Sequence, residues 1–438
     1  MCMSVLKKVF DQIDASWDEE VSFLQKLGRF PSTLGNEAGV QRFIANKYRE
    51  LGLETDVFIP DVQKIVKTPG YGPHEMSYDG RPVVVGSWKT KGEPIGKSLI
   101  LQGHIDVVSA EPTRLWDYDP WGSTIEGDRM YGRGVCDMKG GVAALIYAVQ
   151  AVKSAGVELG ADLIVQSVHE EEVTGNGAVA TIAEGYKADA CLIPEPFGPA
   201  AVSAQVGVLL MKVRVTGNGA HVLGASQAVN AIDKAYVLIE ELKKYEHEIN
   251  YVREKHPAFK DVDHPLNVTV GVIQGGDWAS SVPSDCMFEV RIGFYPGIDP
   301  QEIIDEVKYR LMTAAAKDSW LRLVPPEITF YGHHAWGLDL DKDQEMFKCL
   351  ERAHAKVYKD PMDYISITAT VDTAAYNING IPATCYGPVG ENLHAPNEWV
   401  DLNSVKECTK VYAAYILDWC GVRNKQAFEN NDEQLMEA

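Results

Sequence analysis

Leu99-Ile100-Leu101-Gln102-Gly103-His104-Ile105-Asp106-Val107-Val108 opens on aliphatic residues and runs into polar ones. It reads as an extended segment over 99–108. Working outward, helical text follows at 138–154, and extended text at 163–168 and again at 191–193. Strands that alternate with helices in this way indicate a mainly parallel sheet with helices on both faces, the doubly wound α/β class. Ligands bind such sheets beyond the carboxyl ends of the strands. Each strand here ends in polar residues, so the chemistry is sought at those ends. Upstream, Asn36 is placed to cap a helix whose apolar residues Val40, Phe43, Ile44 and Leu51 fall at helical spacing, with Gly52 as its stop. Residues 55–59 read as a strand. The stretch 60–96 reads as a long irregular excursion with one short apolar run at 83–85.

Beyond Pro199 the rhythm changes. Extended text at 208–216, a helix at 226–244, strands at 266–274 and 286–295, a helix at 300–316 and a strand at 327–331 give the order β-α-β-β-α-β of a split, ferredoxin-like α+β unit. Within 286–295, Cys286, Phe288, Val290, Ile292 and Phe294 alternate as one buried face, so Glu289 and Arg291 point to the other. The doubly wound pattern resumes with a helix near 343–358 and a strand near 383–386. The unit therefore reads as an insertion. Residues 1–206 begin the first domain, 207–333 form the inserted one, and 334–438 complete the first.

At 438 residues the chain exceeds the size at which one core keeps growing, and 45% apolar residues suffice for two cores. A net charge of −21 argues against nucleic acid or an anionic membrane as partner and favours a small ligand. The first 17 residues are charged throughout and lack the apolar core of a secretory signal. Nowhere do ~18 uncharged apolar residues run together, so no transmembrane segment is expected. The eight cysteines are dispersed without a CxxC pair. With cytoplasmic character they are expected to be reduced and mostly buried.

Five short stretches carry chemistry. In Gly103-His104-Ile105-Asp106, residues two apart on extended chain face the same way, so Asp106 can orient the His104 ring as a metal-bound histidine requires. Gly132-Arg133-Gly134-Val135-Cys136-Asp137-Met138-Lys139-Gly140-Gly141 is a glycine-rich turn opening a helix. Asp137 can cap that helix, and a carboxylate there can also bridge two cations. His169-Glu170-Glu171-Glu172 sets three acids at a strand end, where their repulsion needs a cation or a proton. Glu195 follows another strand, and His394 sits in Asn392-Leu393-His394-Ala395-Pro396. Each stretch alone is ordinary polar loop. Together they make a hard N/O donor set suited to Zn²⁺, Co²⁺ or Mn²⁺.

In these motifs, in their order, and across about 17–419, the sequence resembles the M20 metallopeptidase and deacylase family, which includes acetylornithine deacetylase, succinyl-diaminopimelate desuccinylase, aminoacylase and glutamate carboxypeptidase. The resemblance implies a catalytic α/β domain with two divalent metal ions and an inserted lid through which two subunits pair as a homodimer. It implies His104 and Glu195 on one metal, Glu172 and His394 on the other, and Asp137 bridging both. It gives Asp106 the orienting role and Glu171 that of general base, with Glu170 standing where the family has Asp. Gly217-Asn218-Gly219-Ala220-His221 resembles the motif whose histidine reaches the partner subunit's site, and Arg291 matches an arginine that binds the substrate carboxylate. Two stretches depart from the family: Ser280-Ser281-Val282-Pro283 where an Asn is common, and Thr370-Val371-Asp372-Thr373 in place of Gly-Gly-Thr-Asp.

The expected reaction is metal-dependent removal of an acyl group from the nitrogen of a small amino-acid-like substrate. The triple acid, Tyr78-Asp79-Gly80-Arg81-Pro82 and Arg291-Ile292-Gly293 look most like acetylornithine deacetylase-like and formylaminopyrimidine deformylase-like deacylases. The motifs leave a dipeptidase or carboxypeptidase open. A non-catalytic binding protein on this fold would not need Glu171.

Overall fold

A computed structural model describes residues 3–74 and 76–426. Residues 1–2 and 427–438 of the expected first domain, and Cys2 with them, lie outside the described residues. The central sheet has six strands in the order Glu54–Phe58, Val83–Trp88, Leu163–Val168, Leu99–His104, Ala190–Ile193, Ala383–Cys385. The last four run parallel, and the first two extend one edge through antiparallel pairings. Leu99–His104 and Leu163–Val168 are buried at every position, as strands covered on both faces must be. From Leu99–His104 the chain crosses to one side, to Leu163–Val168, and then back to the other, to Ala190–Ile193. That reversal opens a crevice at the carboxyl ends of these three strands.

The extended segment expected over 99–108 leaves the sheet after His104. Ser32 draws it away: its hydroxyl donates to Ile105 O at 2.6 Å and its carbonyl accepts from Val107 N–H at 3.0 Å. The helix expected from 138 begins at Gly141, because Asp137 and Met138 have non-helical dihedrals. Asn36 is not the cap of the next-upstream helix, which starts at Ala38 after Glu37. The Asn36 amide instead donates to Pro31 O at 2.7 Å.

Val135–Ser154 is long and apolar enough to cross a membrane by length and composition, although Asp137 and Lys139 keep it from being an uncharged run. Its apolar stretch is 89% buried inside the protein. It packs between the sheet and the helix Leu402–Trp419. Seven described cysteines are free and buried.

The chain leaves this core after the strand Ala200–Gln205 and returns at Leu338–Asp339, which pairs with that same strand. Between them lies a second core built on a four-stranded antiparallel sheet, order Val268–Gly275, Asp285–Phe294, Gly207–Thr216, Glu327–Ala335. The helices Ala231–Tyr251 and Pro300–Lys317 pack on it. Cys286, Phe288, Val290, Ile292 and Phe294 are all buried, as their alternation predicts. The first helix starts at Ala231 rather than 226: Val222–Gln227 is a 3₁₀ turn, and Asn230 caps the helix by accepting from Ile232 N–H.

One buried acid gives the first core a pH dependence. Glu20 is 1% exposed, its Oε1 accepts from the Thr409 hydroxyl at 2.6 Å, and its Oε2 has no partner. Burial pushes its carboxyl up to about 8. A carboxyl raised on folding contributes stability below its unfolded value, and that contribution is lost as pH rises from the ordinary carboxyl range through about 8. Glu20→Gln is expected to flatten this loss and to hold more stability than the parent above about pH 8, by on the order of a few kcal/mol. Parallel denaturant melts at acidic and alkaline pH check it; equal pH slopes in both proteins would refute it.

Candidate metal centre

The polar residues expected at the element ends converge in the crevice. His104 closes its strand, Glu171 and Glu172 follow Leu163–Val168, and Glu195 follows Ala190–Ile193. Asp137 stands in the irregular turn before Gly141–Ser154, and His394 in the loop between the short strands Gly390–Glu391 and Trp399–Asp401. Donor atoms of His104, Asp137 and Glu195 lie within 4.8 Å of one another, as do those of Asp137, Glu172 and His394, and those of His104, Glu171 and Glu172. His104 Nε2 is 3.2 Å from Asp137 Oδ1 and 3.7 Å from Glu195 Oε1. His394 Nε2 is 3.0 Å from Glu172 Oε2 and 3.3 Å from Asp137 Oδ2. Asp137 is common to two of the triples, with one oxygen toward each histidine.

The local chain geometry is specific. Glu170 has φ 66°, and at this left-handed turn its side chain parts from those of Glu171 and Glu172, which join His104. Its carboxylate is held by the Arg81 guanidinium, by Tyr78 Oη at 3.0 Å and by Thr174 Oγ1 at 2.9 Å. Arg81 also pairs with Glu37 at 2.6 Å, so two buried acids share one buried cation. Asp106 contacts His104 Nδ1 through its backbone oxygen at 3.0 Å, with its carboxylate farther off at 3.6 Å. That carboxylate instead accepts from Glu171 N–H at 3.3 Å and Glu172 N–H at 3.2 Å. Asp106 thus ties the acid turn to the His104 strand, a second task its spacing to His104 does not reveal.

The charges are poised for cations. Burial, and then the nearby Glu195 charge, push Glu171 well above the usual carboxyl range. Burial does the same to Glu195, and burial with the Asp137 charge raises Glu172. Asp137 stays low against its burial because His104 and His394 hydrogen-bond it. Hydrogen bonds to Asp137 and Glu172 push His394 up to about 10. Glu195 Oε1 is buried without a hydrogen-bond partner. Four carboxylates around two imidazoles, with an orphaned oxygen among them, form a donor set that divalent metal ions fit and that a proton alone satisfies poorly.

Two expected residues stand outside the cluster of donor atoms, though Arg291 lies near His333, which hydrogen-bonds the Glu172 backbone. His221 is on the two-residue strand Ala220–His221, paired with Ser281–Val282. Its ring is exposed, and Nδ1 accepts from Leu223 N–H at 3.1 Å. Among the described residues no hydrogen bond or ion pair joins it to the acids. Arg291 donates from Nη2 to Thr368 O at 2.9 Å, while its buried Nη1 has no partner. It borders a cavity of about 410 Å³ with Asn267, Thr269, Glu289 and Tyr331. Sequence reasoning passed over Asp372 as a site residue. Its Oδ2 accepts from Gln102 Nε2 at 2.7 Å, and burial raises its carboxyl to about 7. Its motif was visible only as a departure from the family.

Known proteins resemble this chain along most of its length. The chain is 28% identical to the N-formyl-4-amino-5-aminomethyl-2-methylpyrimidine deformylase of Bacillus subtilis (strain 168), covering 89% of this chain and 91% of the relative. It is 26% identical to the acetylornithine deacetylase of Proteus mirabilis (strain HI4320), covering 74% of this chain and 79% of that one. Among solved structures, the dipeptidase Dug1p of Saccharomyces cerevisiae has the same fold, with a TM-score of 0.76, 17% identity, and coverage of 95% of this chain and 99% of that one. The sequence profile of Peptidase family M20/M25/M40 matches residues 100–418. The chain belongs to Peptidase family M20/M25/M40, hydrolases of amide bonds.

Proposed function

We propose that the chain is a two-metal deacylase that removes a formyl or other short acyl group from the nitrogen of a small amino-acid-like amine. The observation that carries this reading is Asp137 as the common member of two histidine–carboxylate triples, with Glu171 at their edge. In this reading His104, Asp137 and Glu195 hold one cation, and Asp137, Glu172 and His394 the other. Zinc suits such a nitrogen and oxygen set, and cobalt or manganese share its preferences. When bound, the two cations supply Lewis acidity toward the amide carbonyl and toward a water. Glu171 takes the proton of the attacking water and delivers it to the leaving nitrogen. Its position supports this role, because its carboxylate lies among the donor atoms of His104 and Glu172. Asp106 keeps Glu171, Glu172 and His104 in register. Arg291, which borders a cavity and keeps one buried guanidinium nitrogen without a partner, binds an anionic group of the substrate.

The domain boundaries belong to the same proposal: 1–206 with 334–438 as the metal-binding domain and 207–333 as the lid, in a cytoplasmic enzyme. The deformylase relative, similar along nearly the whole chain, supports an N-formyl or N-acyl amine over a peptide as substrate. A panel of N-formyl amines, N-acyl amino acids and dipeptides assayed with Zn²⁺ or Co²⁺ tests it. Turnover of dipeptides alone would replace the deacylase by a peptidase.

A homodimer through residues 207–333, with His221 working in the partner's site, completes the proposal. It is supported by the exposed ring on a short strand at the lid, with no hydrogen bond or ion pair to its own chain's acids among the described residues. Mixing inactive His221→Ala and inactive Glu171→Gln chains is expected to restore about a quarter of the parent activity, since random exchange makes half the dimers mixed and each of those has one intact site. No recovery after verified exchange refutes the assignment.

A further inference from the structure

We infer that Glu398 and Arg133 form a buried clamp of positioning residues that sets the affinity of the cation site made by Asp137, Glu172 and His394; the inference rests on the metal reading above. Glu398 is fully buried, and four donors converge on its carboxylate. Oε1 accepts from Cys136 N–H and Asp137 N–H, each at 3.0 Å. Oε2 accepts from Gly134 N–H at 2.9 Å and Arg133 Nη1 at 2.6 Å. The turn that carries Asp137 is not a regular helix, with Asp137 at φ −106° and ψ 96°. Glu398 thus accepts from N–H groups that stand ahead of the helix and would otherwise be buried without an acceptor.

The clamp reaches the other ligand as well. Arg133 Nη2 donates to Ala395 O at 3.3 Å, beside His394, and its guanidinium lies 5.2 Å from the Trp116 ring. His394 itself has φ 60°, a conformation a histidine keeps only where its surroundings impose it. Asn397 helps impose it: its Oδ1 accepts from Asp117 N–H and its Nδ2 donates to Asp117 Oδ2, both at 2.8 Å. So one residue, four positions past His394, fixes both the Asp137 turn and, through Arg133, the His394 loop. His104 and Glu195 are placed separately by strands of the central sheet. Loosening the clamp therefore moves two of the three donors in one triple, but only the shared Asp137 in the other.

Glu398→Gln keeps the volume but turns an amide NH₂ toward N–H donors. Zinc titration of metal-stripped protein against a chelating dye is expected to show two sites per chain in the parent. In Glu398→Gln the weaker site is expected to lose about 10–100-fold in affinity while the tighter one changes less, and excess zinc restores turnover. Arg133→Met leaves the three amide contacts in place and is expected to weaken the same site. Hydrogen exchange of the metal-free proteins separates the clamp from the metal reading. The amides of Gly134, Cys136 and Asp137 exchange faster in Glu398→Gln than in the parent and unchanged in Arg133→Met. Parent-like zinc affinities in both variants overturn the inference, as does unchanged exchange in Glu398→Gln. If that variant does not fold, the zinc affinity of Arg133→Met decides alone. A parent that binds no zinc refutes the metal reading, while the exchange difference still reports the clamp.

Discussion

Glu171→Gln is expected to bind its cations as the parent does and to lose turnover by about 10²–10⁴-fold, the range over which a positioned general base acts. The amide preserves the shape of the side chain and removes only the proton acceptor. Glu171 is the one acid of the triple free for this work. Glu170 is committed to Arg81, Tyr78 and Thr174, and Glu172 lies against His394. The same substitution at Glu170 is expected to act on stability instead, because it weakens a buried ion pair and leaves Arg81 with Glu37 alone. Steady-state rates and metal analysis on the two variants decide the matter. A nearly active Glu171→Gln beside a folded, metal-replete and inactive Glu170→Gln would shift the base by one residue.

Stripping the metal is expected to abolish turnover and lower the melting temperature, and zinc to reverse both. At a hundredfold excess over Kd, one occupied site adds about 2.7 kcal/mol of stability. The gain is large here because the metal-free centre keeps four carboxylates together, three of them pushed above their ordinary range by burial and by one another. Asp137→Asn is expected to lose the zinc-induced stabilisation almost entirely, since its carboxylate belongs to two of the three histidine-containing triples, the two that would each hold a cation. Calorimetry with and without zinc, together with metal analysis, tests this. A variant that still gains as much from zinc as the parent would show that the shared carboxylate is not the hub of the site.

The sequence by itself determined the layered α/β fold with its β-α-β-β-α-β insertion and named the residues that meet in the crevice. The physical reason is local: a strand buried on both faces must be apolar along its length, a half-buried strand must alternate, and the polar residue that ends a buried strand stands out. Short elements carry no such signal. The strands Gly390–Glu391, Trp399–Asp401, Arg129–Tyr131 and Thr124–Glu126 make a sheet that supports both the Asp137 turn and the His394 loop, yet two or three residues show neither period. Only the tertiary structure decided which glutamate of 170–172 faces inward, because a left-handed φ at Glu170 and an arginine 89 residues upstream settle it. Only it showed that Glu398, from the far end of the chain, holds Asp137 in place across 261 residues. Contacts of that kind depend on where distant segments come to lie, and no periodicity or spacing within either segment encodes the partner.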